Sequence, residues 1–116
     1  MTKEEVLELV AEGWKPLIHR YYELIKVIES CDSKPSITVV DVIRKRGMLN
    51  IVAETSIPII QEIIDKIAWA IERESVIICE RCGVRGRRRM DLPGQPNRCR
   101  KHYIELANEM ADRGEI

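Results

Sequence analysis

The chain has 116 residues, 45% hydrophobic and 33% charged, the size and make-up of one soluble globular domain, and no apolar run approaches the roughly 18 residues that a membrane span needs. Its 19 basic and 19 acidic side chains cancel but are segregated: residues 79–103 carry eight Lys/Arg against Glu80 and Asp91, net +6, while residues 1–78 and 104–116 each stand at −3. Membrane insertion is thereby excluded, and the basic segment calls for an anionic partner.

Thr2 followed by Glu5 forms a capping box and opens a first helix, with Val6, Leu7, Leu9 and Val10 apolar and Gly13 as its expected stop. The acidic, amphipathic start does not resemble a secretory signal, so a reducing cytoplasm is the expected compartment. Pro16 can open a second helix whose apolar positions Leu17, Tyr21, Leu24, Ile25 and Ile28 form a core face, with His19 at the surface or core edge. Residues 31–36, "CDSKPS", break the pattern as a turn, and Cys31 reads there as a semi-buried small hydrophobe.

From Ile37 the period changes to two. Ile37, Val39, Asp41 and Ile43 alternate with Thr38, Val40 and Val42, residues 44–47 can turn, and 48–54 can return, which predicts a β-hairpin with one face on the helices. Thr55, Ser56 and Pro58 start a long helix to about Glu74, with Ile57, Ile60, Ile64, Ile67, Ala68 and Ile71 on its apolar face, Trp69 near the edge of that face, and Glu62 and Lys66 spaced to pair. Its isoleucines suit either the hairpin or a second copy in a homo-oligomer. Val76 to Ile78 reads as a short strand, and Cys99 to Met110 as a last helix.

Cys79-x2-Cys82, sixteen residues, then Cys99-x2-His102 supplies two pairs of soft or borderline ligands at the spacing that closes a tetrahedron around zinc. A reducing compartment disfavours a disulfide, and a redox CxxC pair would want a helix start in a βαβ setting rather than a strand before it and an arginine loop after it. Four protein ligands leave no open position, so the expected zinc is structural.

Between the ligand pairs lies "RGRRRM". Arg85, Arg87, Arg88 and Arg89, with Arg98, Arg100 and Lys101, would be held in place by the metal, and guanidinium forks match phosphate and carboxylate groups. The expected partner is nucleic acid, a duplex contacted through its backbone, because the loop has few aromatics for stacking unpaired bases. The arginines suit equally an acidic protein partner, this chain's own acidic helices, or a solvated face. A metal-dependent nuclease of the His-Asn-His type would need a histidine base, and the sixteen residues contain none.

"GWKPLI" (13–18), "VVDVIRKRGMLNIVAE" (39–54), the helix over 56–74, "CERCGVRG" (79–86) and "CRKH" (99–102) together resemble a family of small zinc-binding proteins often encoded by bacteriophages and prophages, over about three quarters of the chain. The resemblance implies zinc on Cys79, Cys82, Cys99 and His102 and a setting of phage or mobile DNA in a bacterial cytoplasm. It implies no settled activity. This hairpin departs from the family's aromatic pattern with Arg46, Gly47, Met48 and Ile51.

The expected architecture is α+β in a single domain. Residues 1–75 make a helix–hairpin–helix core, and 76–116 a zinc knuckle closed by a C-terminal helix. The expected function is non-enzymatic binding of nucleic acid, with inhibition or adaptation of a host protein, such as a defence or nucleic-acid-processing complex, as the alternative.

Overall fold

A computed structural model describes residues 1–31 and 35–116. The fold is α+β. Helix α1 (Lys3–Leu9), a 3-10 turn (Glu12–Trp14) and helix α2 (Lys15–Glu29) precede an antiparallel hairpin of β1 (Thr38–Lys45) and β2 (Met48–Glu54). Helix α3 (Pro58–Ser75) follows, then the short strands β3 (Arg87–Arg88) and β4 (Asn97–Arg98), and helix α4 (Arg100–Asp112). Among the described residues, no helix is long and apolar enough to cross a membrane. Of the turn expected over 31–36, residues 32–34 lie outside the described residues.

The Thr2 capping box forms as expected: Thr2 Oγ1 accepts from the Glu5 N–H, and the Glu5 carboxylate accepts from the Thr2 N–H. Helix α1 nevertheless stops at Leu9, four residues before Gly13, because the 3-10 turn must carry Trp14 into the core and Gly13 against the cysteine knuckle. Pro16 lies in the first turn of α2. The buried face of α2 is turned from the expected stripe: Ile18 is fully buried, whereas Leu24 is 40% exposed. Cys31, expected to be half-buried, is exposed beyond the end of α2.

In the hairpin, Lys45 faces Met48 across a two-residue turn in which Arg46 and Gly47 both take positive φ, +50° and +75°. Such a turn matches the right-handed twist of the strands. A register shift between Val39 and Asp41 breaks the expected alternation. Val39 points inward, and after the extra residue Val42 takes the half-buried position while Ile43 faces out.

Helix α3 covers the inner face of the hairpin, where Leu49, Ile51 and Ala53 of β2 meet Ile64, Ala68 and Ile71. It also caps the outer edge of β2. Ser75 Oγ accepts from the Leu49 N–H, Glu72 from Ile51 and Gln61 from Thr55, at 2.9–3.0 Å, and Gln61 Nε2 donates to the Ala53 carbonyl. An edge so paired offers little to recruit another strand. Trp69 is exposed and stacked under Arg73, and Glu62 and Lys66 form no ion pair.

The strand expected at Val76–Ile78 is not present. The chain leaves α3 through a turn, and Ile78 makes a single bridge to Arg85, because the next residues must bend at once into a knuckle. Helix α4 forms where expected but buries none of its residues fully, and the molecule is elongated, 55 × 21 × 20 Å.

Candidate metal centre and arginine surface

Cys79 and Cys82 sit on a tight turn. The Cys79 N–H donates to the Val84 carbonyl at 2.7 Å, the Gly83 N–H to the Cys79 carbonyl at 2.9 Å, and Gly83 takes φ +82°, a conformation that costs glycine little. Gly13 packs against this turn so closely that a Cβ there would collide with the Cys79 carbonyl oxygen. Cys99 is the N-cap of α4 and His102 lies three residues on in its first turn, so one helix start aims both at the knuckle.

The four ligand atoms lie within 4.8 Å of one another. Cys79 Sγ is 3.7 Å and Cys99 Sγ 3.2 Å from His102 Nδ1, and Cys82 Sγ is 3.9 Å from Cys99 Sγ. A tetrahedron with arms of about 2.3 Å has edges of about 3.8 Å, so the cluster has the size a four-coordinate metal ion requires. The other nitrogen of His102, Nε2, stands 3.8 Å from a Glu105 carboxylate oxygen, on the side from which an outer carboxylate commonly orients a ligating imidazole.

Electrostatics agree with a cation here. Burial pushes the Cys79 thiol up, but the backbone N–H groups of Cys99, Cys82 and Arg81 outweigh it and bring it down to about 6. At Cys82 the Val84 N–H acts downward, but burial, the neighbouring sulfurs of Cys79 and Cys99 and the Cys79 charge together move it up. Cys79 and Cys82 are thus driven in opposite directions, an opposition that a bound cation would relieve by favouring the thiolate at both.

The centre is joined to the core by a buried polar junction. Asn97 Nδ2 donates to the carbonyls of Ser75, at 3.0 Å, and Gly47, and Trp14 Nε1 donates to the Ser75 carbonyl at 3.1 Å. Glu80, almost fully buried beside Cys79, accepts from the Asn97 N–H at 2.7 Å and from both Nε and Nη2 of Arg44. The Gly13 N–H donates to the Glu80 carbonyl at 2.8 Å. The hairpin turn, the end of α3, the 3-10 turn and the knuckle therefore meet at one point, where Asn97 Nδ2, the Asn97 N–H and the Glu80 carboxylate each depend on a partner from another segment.

Of the seven expected contact residues, those that line concavities are divided among several, Arg88 sharing a cleft with Arg87, Arg89 and Asp91. Arg87, Arg89 and Arg100 line a groove with Tyr103 and Ile104, whereas Arg98 lines a cleft with Arg81, His102, Glu105 and Glu109. Arg85, Arg88 and Lys101 are exposed outside that groove. Arg89 is buried: its guanidinium lies 4.3 Å from the centre of the Tyr103 ring, and its Nε donates to the Arg98 carbonyl. Tyr103 donates its hydroxyl to Asp91, a hydrogen bond that raises the phenol and keeps it protonated.

Sequence reasoning missed Glu105, although its three-residue step from His102 along a helix was a readable signal. It also missed Gly13, Glu80 and Asn97, whose roles arise from segments distant in the chain. No protein-family model, curated protein or solved structure matches the chain.

Proposed function

We propose that this protein is a non-enzymatic binding protein in which a structural zinc ion, held by Cys79, Cys82, Cys99 and His102, fixes an arginine surface that contacts the backbone of duplex nucleic acid. The observation that carries this reading is the four-ligand cluster of tetrahedral size closing the loop that bears Arg85, Arg87, Arg88 and Arg89. Three thiolates and an imidazole suit zinc by softness, and four protein ligands complete its coordination, which supports a structural ion and a chain without chemistry of its own. The resemblance to phage-encoded zinc proteins supports a setting on phage or mobile DNA in a bacterial cytoplasm.

The test is fluorescence anisotropy of labelled duplex and single-stranded DNA with zinc-loaded protein at several salt concentrations. Binding should weaken with salt at about 0.9 in log–log slope per phosphate contact, and the exposed Arg85, Arg87 and Arg88, changed to Ala, should each flatten that slope. Absence of binding at low salt, or a slope that these variants leave unchanged, would overturn the reading.

One observation favours a host-protein partner instead. Leu24, Ile67 and Ala70 line a groove between α2 and α3, and Val27 of α2 and Ile59 and Ile63 of α3 are also exposed. Retention of a bacterial protein on the wild-type chain but not on an Ile63→Asp variant, without DNA affinity, would favour that reading.

A further inference from the structure

We infer that the groove lined by Arg87, Arg89, Arg100, Tyr103 and Ile104 is a discrete subsite for one phosphate group of a nucleic-acid strand, seating a terminal phosphate monoester more tightly than an internal diester. The inference rests on the nucleic-acid reading above and narrows it from a surface to a site.

Its anchor is Arg89. Arg20, Arg44 and Arg113 each have a carboxylate partner, and Arg73 lies over Trp69 in the open. Arg89 is 9% exposed, the only arginine buried to that extent among the described residues, yet it forms no ion pair there. A cation removed from water without a counter-charge is costly, and its field is screened less than that of a surface arginine, so an arriving anion gains more from it. Asp91, which lines the adjoining cleft, is engaged by the Tyr103 hydroxyl.

Arg89 is also held in place. Its backbone N–H donates to the Pro96 carbonyl at 2.8 Å, its Nε to the Arg98 carbonyl at 3.2 Å, and the Tyr103 ring fixes the plane of its guanidinium. Arg87 and Arg100 line the same groove and are exposed. The groove, about 560 Å³, has no carboxylate in its lining. Arg100 also opens α4, whose first turn contains no acidic residue, so the backbone there favours an anion as well.

Phosphate fits this arrangement better than carboxylate does. One guanidinium fork saturates the two oxygens of a carboxylate, whereas three guanidinium groups lining one groove suit an anion with three or four oxygens. Three cations and no acid favour a dianion, the charge of a terminal monoester, over the single charge of a diester. Tyr103 and Ile104 give the rim an apolar patch on which the attached sugar and base can rest.

The experiment is a titration of the zinc-loaded full chain with thymidine 5′-monophosphate, and with thymidine, followed by NMR of the arginine Nε–H resonances. The Arg89 resonance should move and saturate with the monophosphate and stay put with thymidine. Arg100→Ala, at an exposed position, should weaken binding by about tenfold, the loss expected for one charge-assisted hydrogen bond. Arg89→Lys, which keeps the charge but loses the fork and the Nε bond to Arg98, should do the same and lower the melt somewhat, so the exposed Arg100→Ala decides the question. In anisotropy, a 5′-phosphorylated duplex should bind more tightly than its 5′-hydroxyl counterpart.

A silent Arg89 resonance, or equal affinity in Arg100→Ala, overturns the subsite. If duplex binding with a normal salt slope survives that result, the arginine-surface reading stands alone. Monophosphate binding without any duplex affinity would keep the phosphate subsite and overturn the duplex reading. A phosphoserine peptide that outcompetes the monophosphate would overturn the assignment to nucleic acid.

Discussion

Glu105 makes no contact with the four ligand atoms other than through the far nitrogen of His102, 3.8 Å away. A metal ion on Nδ1 would leave the ring proton on Nε2, facing that carboxylate, which a small approach would bring into hydrogen-bond range. Glu105→Ala should therefore lower metal affinity by about 10- to 100-fold with little effect on the metal-loaded fold, read by competition with a chromophoric chelator. Cys79 gives a second prediction at this scale. Its thiol titrates near 6 in the folded chain against 9.0 ordinarily, so between those values the unfolded state holds a proton that the folded state does not. Stability of the metal-free protein should rise with pH across that window, be fully gained above about 9, and be lost as pH falls through about 6. The upward shift at Cys82 acts in the opposite sense only above its ordinary value. Urea melts at a series of pH values check this, and Cys79→Ser should remove the rise.

At the scale of elements, the knuckle and the 3-10 turn share space that only glycine leaves free. Gly13→Ala would drive a methyl group into the Cys79 carbonyl, and relief requires the turn and the knuckle to separate, which breaks the Gly13–Glu80 hydrogen bond. A loss of about 1–3 kcal/mol is expected in chemical denaturation of the metal-loaded protein, typical of overpacking at a close-packed contact. The elements that were legible in the sequence are those set by local periodicity and local chemistry: the capping box, the hairpin, α3, α4 and the ligand spacing. The bulge at Val39–Asp41 was not legible, because a one-residue slip changes the facing of every later side chain without changing composition. The early end of α1 and the missing strand at 76–78 share one cause. Both segments obey the knuckle rather than their own apolar pattern.

At the scale of the whole molecule, the Ser75–Asn97–Glu80 junction joins the Cys/His cluster to the hydrophobic core. Nothing in the sequence announces it, since Asn97, Ser75 and Gly47 come together only when three elements are already packed. The same junction places the basic residues of the loop differently from one another. Asn97 and Arg89 anchor β3 and β4 inward, Arg98 is carried to the far side of α4, and Arg87 and Arg100 remain beside the groove. A structural zinc site contributes roughly 10–16 kcal/mol of apparent free energy in small zinc peptides, far more than any single contact here, so the metal should decide whether residues 76–103 fold.

The direct test of the account is to measure zinc content together with thermal unfolding, for the wild-type chain before and after chelation and for Cys82→Ser. The account predicts one zinc ion per chain, a melt that falls sharply on chelation, and a Cys82→Ser chain without tightly held zinc in which amide protection is lost from Cys79 through Arg98. A chain that purifies without zinc, takes up none when it is offered, and melts identically with and without chelator would contradict it.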